Sequence, residues 1–271
     1  MQQPVSEREA RDQMIGASHV DGVLEAHGIS MVFRREDSSL EALHNIDLSI
    51  GAGEFVALVG PSGCGKSTLL RIFGGLLQPT AGTVRIHGAP IIAPRRDVGL
   101  MFQKSTLFEW RTALANVLLP VEVARRSKPP DVAQAQELLR LVHLDAFKDH
   151  YPRELSGGMQ QRVALARLLM LDPEVMLLDE PFGALDEFTR EALNQELAAI
   201  VARDQRTGIL VTHNVTEAVF LADRVIAMAS GPGRIVGDIA VTTPRPRSIS
   251  FMQSTECRDA TVATRHALGL Q

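Results

Sequence analysis

The 271-residue sequence has two cysteines, one tryptophan and one tyrosine, and no apolar run approaching the ~20 residues that span a bilayer. Cys64 and Cys257 form neither a metal-ligand spacing nor a disulfide framework, which suits a reducing compartment and excludes a disulfide-stapled scaffold. The longest apolar stretches, Val117 to Val121 and Val175 to Leu178, are too short to cross a membrane. The first 20 residues crowd Glu7, Arg8, Glu9, Arg11 and Asp12 together and lack the apolar centre of a secretory signal, so export is not expected. A basic excess is missing as well. A net charge of −4 and a pI near 6.1 give no overall pull toward nucleic acid.

What is present is ordinary globular material, 45% hydrophobic and 22% charged, enough for one large domain or one domain carrying an insert. Residues 1–21 read as a solvated tail, and the compact domain is expected over 22–241. Val23 to Phe33 and Ala42 to Ile50 alternate as strands of an antiparallel β layer, with a polar turn at Arg34 to Ser39. Glu54 to Val59 is a buried strand, Lys66 to Leu77 a helix, and Thr83 to Ile86 and Val98 to Phe102 further strands. About 104–171 has helical periodicity, clearest in Val132 to Val142 and Met159 to Leu169, and reads as a helical insert broken at Pro120, Pro129, Pro130 and Pro152. Strands at Val175 to Leu178, Ile209 to Thr212 and Val225 to Ala229 then alternate with helices near Phe188 to Arg203 and Val215 to Leu221, the pattern of a parallel α/β sheet. Residues 242–271 read as a polar tail with one short helix near Asp259 to Leu268.

Gly60-Pro61-Ser62-Gly63-Cys64-Gly65-Lys66-Ser67 spells a P-loop between a predicted strand and a predicted helix, the context that pattern requires. Glycines let backbone N–H groups converge on phosphate oxygens, the helix N-terminus favours the anion, Lys66 adds a point charge and Ser67 supplies a Mg²⁺ ligand. Thr68 completes the candidate phosphate-contacting set. The strand Val175 to Leu178 delivers Asp179 and Glu180 at its C-terminal end, where open α/β sheets bind ligands. Asp179 is placed to hold Mg²⁺ and Glu180 to deprotonate an attacking water. Alone, an Asp-Glu pair reads as surface charge; behind a P-loop and an apolar strand it reads as chemistry.

Leu155-Ser156-Gly157-Gly158-Met159-Gln160-Gln161-Arg162 is a second glycine-bearing helix start able to bind phosphate. By itself it is an N-cap and turn. Beside a P-loop it resembles the signature motif of the ABC ATPase family, and the resemblance covers roughly residues 23–240. That resemblance implies a P-loop NTPase (RecA-like) α/β core with an antiparallel β subdomain and a helical insert carrying the signature. It implies ATP and Mg²⁺ as cofactors, with Ser156, Gly157, Gly158 and Gln160 contacting ATP held by the P-loop of the opposite subunit in an ATP-bound homodimer. Such a two-fold pairing is closed and isologous.

Other family positions occur in order. Gln103 resembles the Q-loop glutamine at Mg²⁺ and the attacking water; its plain alternative is a polar strand end. Asp186 resembles the D-loop aspartate, or is simply a helix N-cap, and His213 resembles the switch histidine at the γ-phosphate. Asn214 stands where an acidic residue is usual. Phe33 occupies the place of the aromatic that stacks on adenine, or is a core strand residue. Cys64 inside the phosphate loop is a candidate reactive thiol whose alkylation would block nucleotide entry.

The resemblance further implies a permease coupling helix docking beside Gln103, Leu107, Phe108 and Trp110, although Trp110 reads equally as subdomain core. Leu107 to Arg111, Pro181 to Arg190 and Gly231 to Ile235 look like the nitrate, sulfonate and taurine importer branch, with Glu109 where proline is expected. The implied assembly is peripheral to the cytoplasmic face of the inner membrane, with separate permease subunits and, indirectly, a solute-binding protein. The rival is a soluble ABC ATPase acting on ribosomes or DNA, against which stand the single cassette, the short insert and the absence of a basic stripe. A nucleotide-binding regulator that never hydrolyses ATP is opposed by Glu180 and His213.

Overall fold

The computed structural model describes residues 22–35, 38–124, 131–183 and 185–270. The predicted tail at 1–21, the middle of the predicted turn at 36–37, and the breaks at Pro129 and Pro130 lie outside the described residues. In chain order the elements are β1 (Leu24–Arg35), β2 (Ser38–Ile50), β3 (Phe55–Val59), α1 (Lys66–Phe73), β4 (Ala81–Ile86), β5 (Ala89–Pro90), β6 (Val98–Met101), α2 (Ala113–Ala124), α3 (Val132–Leu141), α4 (Gly157–Leu171), β7 (Val175–Asp179), α5 (Glu187–Arg203), β8 (Thr207–Thr212), α6 (Val215–Leu221), β9 (Arg224–Ala229), β10 (Arg234–Ala240) and α7 (Thr255–Ala267).

Two sheets result. The antiparallel sheet has the order β2-β1-β4-β5, and the main sheet has the order β10-β9-β3-β8-β7-β6, in which only the β9–β10 pair is antiparallel. Every residue of β3, β7 and β8 is buried, as a strand covered on both faces requires. Alternate side chains divide into two cores. Phe55, Ala57 and Val59 of β3 join Met176 and Leu178 of β7 in one layer with the helical insert, while Val56 and Leu58 join Val175 and Leu177 in a second layer with α1 and the antiparallel sheet. All three strands therefore end at the same edge, which is where Gly60, Glu180 and His213 follow.

Three expectations change. Pro120 does not break the insert; it lies inside α2, whose Ala113, Val117, Leu118 and Val121 are buried among the α4 residues of the same core. An internal proline costs about 3 kcal/mol, and burying several aliphatic side chains at roughly 1.5–3 kcal/mol each offsets it. The sheet also gains β10, whose alternating burial exposes one face, and Gly237 there sits where an added Cβ would meet Ala267 Cβ at 2.7 Å.

The segment after 241 does not trail as a polar tail. Phe251, Cys257 and Ala260 belong to the core, and α7 runs from Thr255 rather than from Asp259. Arg247 is only 4% exposed. Its guanidinium donates to the carbonyls of Val219, Phe220 and Ala222 at 2.9, 3.1 and 2.7 Å, and also to Val241 and Thr243. The carbonyls at the end of α6 have no helical partners of their own, so a buried cation there satisfies them and opposes the helix dipole.

Candidate active site

The phosphate loop leaves β3 at a place with no room for side chains. A Cβ on Gly60 would lie 2.3 Å from the Met228 carbonyl oxygen, and one on Gly65 would lie 2.8 Å from that of Ala42. Gly65 also has a φ of +95°, a conformation that glycine adopts without penalty. The loop is thereby wedged between β9 and β2 before α1 begins. Lys66, 6% exposed, turns back under it, with Nζ donating to the carbonyls of Gly60 (2.8 Å) and Pro61 (2.9 Å) and 3.6 Å from Cys64 Sγ. Among the described residues no carboxylate forms an ion pair with this ammonium. A buried cation held by carbonyl dipoles, with the Asp179 carboxylate near enough to feel its charge but not in contact, fits a site built for an anion. Cys64 is itself buried, so a thiol reagent reaches it only if the loop opens.

Ser67 Oγ donates to Asp179 Oδ1 at 3.0 Å, so the start of α1 and the end of β7 bring two hard oxygens together. Burial pushes the Asp179 carboxyl pKa up, against the Ser67 hydrogen bond that lowers it. This pair suits Mg²⁺, which takes one or two protein oxygens and completes its shell with phosphate and water. Among the described residues there is no group of three or more His, Cys, Asp or Glu side chains that would form an all-protein cage.

Glu180 is where the predicted residues meet. Its backbone is left-handed, with φ +47°, and its amide donates to the Val211 carbonyl at 2.9 Å. A non-glycine residue in this region stores strain, a feature concentrated at functional sites. Gln103 Nε2 donates to Glu180 Oε2 at 2.9 Å, and His213 Nδ1 lies 3.6 Å from Glu180 Oε1. The His213 ring is largely exposed and so free to meet a ligand. Asn214, the departure from the acidic pattern, caps α6 by accepting from Glu217 N at 3.1 Å.

The second glycine-bearing start is built differently. Ser156 caps α4, its Oγ accepting from Met159 N at 3.2 Å, yet Ser156 and Gly157 are exposed and a Cβ on Gly157 would meet nothing within 4 Å. Gly158 is close under Leu185, 2.4 Å from an added Cβ to Cδ2. Gln160 turns inward, donating to the carbonyls of Pro152 (2.9 Å) and Leu155 (3.4 Å) and accepting from Ser105 Oγ (3.1 Å). Asp186 caps α5 through Thr189 N at 2.9 Å and accepts from Thr189 Oγ1 at 2.7 Å, bonds that hold its carboxyl pKa down. Phe33 is 39% exposed, so the core alternative for it fails. Among the described residues no hydrogen bond joins Ser156, Asp186 or Phe33 to the Lys66–Glu180 cluster.

Two contacts had no sequence signal. Gln161 Nε2 donates to the Gln103 carbonyl, tying α4 to the glutamine beside Glu180. Arg190 holds the turn after Glu180 by donating to the Leu185 carbonyl at 2.7 Å. A cleft of about 470 Å³ opens between β6 and the insert, with Phe102, Phe108, Pro120, Val123 and Leu168 in its walls. Trp110 is 73% exposed with its ring 4.8 Å from that of Phe108, so it is surface and not subdomain core.

A family model described as ABC transporter matches residues 43–183. An aliphatic sulfonates import ATP-binding protein, SsuB of Bacillus cereus (strain ATCC 10987 / NRS 248), is 42% identical over 231 residues, covering 85% of this chain and 91% of its own. A bicarbonate transport ATP-binding protein, CmpC of Synechococcus elongatus, is 47% identical over 209 residues, 76% of this chain but 32% of that longer protein. Among solved structures, the dimeric bacterial ABC transporter cassette MJ0796 superposes with a TM-score of 0.76 at 34% identity, over 82% of this chain and all of that one. The same cassette in a post-hydrolysis state bound to ADP and Pi gives 0.75.

Proposed function

Because the chain belongs to the ABC transporter family and has the fold of its ATPase cassettes, we propose that it is the ATP-hydrolysing subunit of an importer for a small solute of nitrate, sulfonate or taurine type, acting as a homodimer on a separate membrane permease. ATP and Mg²⁺ are the cofactors of this ATPase family. One observation carries the catalytic reading: Glu180 is contacted by Gln103 and His213 next to the Ser67–Asp179 pair.

The geometry supports the following roles. Lys66 and the loop amides would hold the terminal phosphates, and Ser67 and Asp179 would hold Mg²⁺, which when bound would offset the charge that develops on phosphoryl oxygens. Glu180 takes the proton of the attacking water while Gln103 keeps its carboxylate oriented, and His213 turns its exposed ring to the γ-phosphate. Phe33 offers its exposed face to adenine. Ser156, Gly157 and Gly158 present free backbone N–H groups at a helix start, which suits the nucleotide of a second protomer, with Asp186 and Gln160 positioning the segments beside it.

Coupling is assigned to the cleft beside Gln103, whose apolar walls and the exposed Trp110 fit a short amphipathic helix of the permease. No helix among the described residues is long and apolar enough to cross a membrane, and we place the subunit peripherally on the cytoplasmic side, with a solute-binding protein acting only through the permease. The relatives named above serve sulfonate import and bicarbonate transport. Affinity capture of the full chain from membranes is expected to recover a multi-span permease, and ATP with Mg²⁺ is expected to dimerise the Glu180→Gln variant on size exclusion. A variant that stays monomeric at saturating ATP, captured without any membrane protein, removes this reading.

A further inference from the structure

A second chemistry-bearing cavity lies between α5, α6 and the C-terminal turn Ile249–Gln253. Its volume is about 200 Å³, several times the ~30 Å³ share of one water. Glu187, Glu191 and Asn194 come from α5, Glu217 and Phe220 from α6, and Met252 closes one side. Glu217 is 6% exposed and Asn194 8%; the two side chains interact, yet Glu217 Oε1 and Asn194 Oδ1 each lack a hydrogen-bond partner within 3.5 Å. Both orphaned atoms are acceptors, and each buried polar group left unmet costs about 1–3 kcal/mol. Arg190 also lines the cavity, but its guanidinium donates to the carbonyls of Leu185 (2.7 Å) and Phe182 (3.4 Å).

Three carboxylates against one guanidinium, whose charge already acts on Glu217, leave a surplus of negative charge and of acceptors, while Phe220 and Met252 supply an apolar wall. An anion is excluded by the same groups, and a bare metal ion leaves that wall unused. We propose that this cavity binds a small organic cation, an ammonium or guanidinium group on a short carbon chain, with Glu217 and Asn194 as its acceptors. Burial raises the Glu217 pKa, and a cation in the cavity compensates the buried carboxylate.

The site adjoins the switch histidine through hydrogen bonds. Glu217 Oε2 accepts from Thr212 Oγ1, Thr212 Oγ1 accepts from Asn214 N at 3.0 Å, and Asn214 Oδ1 accepts from Glu217 N at 3.1 Å. These bonds bracket His213, so an occupant that draws on Glu217 alters ATP turnover. That consequence rests on the catalytic reading given above; binding itself does not.

The test is calorimetric titration of the full chain with putrescine and with agmatine, using butane-1,4-diol and succinate as neutral and anionic controls. Saturable one-site binding of at least one cation is expected, with none for either control. Glu217→Gln is expected to weaken it at least tenfold, and Glu191→Gln, on the exposed rim, about two- to threefold. The rim variant decides the matter if the buried one does not fold. No saturable binding of either cation, equal binding of the diol, or unchanged affinity in every folded variant overturns the site. Binding without a change in ATP turnover overturns the link to His213 alone, whereas a wild-type chain with no ATP turnover and normal cation binding counts against the catalytic reading instead.

Discussion

The two glycine-bearing helix starts use the same backbone device and differ in what surrounds it. The start of α1 is finished inside the chain: Lys66 is buried, Ser67 meets Asp179, and Gly60 and Gly65 are hemmed by main-chain carbonyls. The start of α4 is left open, with Ser156 and Gly157 exposed and no hydrogen bond from Ser156 to the Lys66–Glu180 cluster among the described residues. Gly60 and Gly65 are sterically required by the fold, whereas Gly157 faces free space, as Gly63 does within the phosphate loop. Under the dimer proposed above, the difference separates what one protomer completes from what it offers to another.

Substitutions sharpen that contrast, and the strongest acts beside the closed start. Glu180→Gln is expected to lower ATP turnover at least ~100-fold, the reach of general-base catalysis, with ATP affinity kept; phosphate release against nucleotide binding measures the two. Gly60→Ala should act through stability, because its Cβ would strike the Met228 carbonyl at 2.3 Å and overpacking of this kind costs about 1–3 kcal/mol. A chemical denaturation midpoint unchanged by Gly60→Ala would break the comparison at its closed end.

At the open end, Ser156→Ala removes the α4 cap and should cost about 1 kcal/mol. Gly157→Ala, by contrast, should leave stability within about 0.5 kcal/mol, because its Cβ meets nothing within 4 Å among the described residues, while reducing turnover if the proposed second protomer docks there. If Gly157→Ala destabilised the isolated chain, the open start would be structural after all. The smallest effect lies away from both starts. Glu256 accepts from Thr242 Oγ1 (2.7 Å), Thr243 N (2.8 Å) and Thr243 Oγ1, which pull its pKa from 4.5 down to about 2. A lowered folded-state pKa stabilises above the unfolded value and loses that contribution as pH falls. Glu256→Gln is therefore expected to lower the thermal midpoint slightly above pH 4.5, with the difference from wild type fading toward pH 2.

Most of the main sheet was legible because β3, β7 and β8 are continuous apolar runs, and the residue after such a strand is fixed in place by the strand itself. Asp179 and Glu180 are legible in this way, at the end of an apolar strand behind a P-loop, whereas Gln103 and His213 are marked by the family resemblance. What was hidden depends on contacts between distant segments. Pro120 looks like a helix stop until the burial of α2 against α4 is known, and β10 shows only a half-exposed alternation interrupted by Gly237. Gln161 and Arg190 act on main-chain carbonyls, which no residue pattern reveals. Arg247 sits in a polar, proline-bearing stretch, where nothing marks an arginine as interior.

That arginine bears on how such chains can be recombined. Its guanidinium fastens the last turn of the helix that begins directly after His213 and Asn214 to a segment beyond residue 241. A chimaera joined at the end of β10 would carry His213 just ahead of a helix moored by a foreign peptide. Swapping or fusion points belong after Ala267, where the graft no longer passes through the machinery it was meant to preserve.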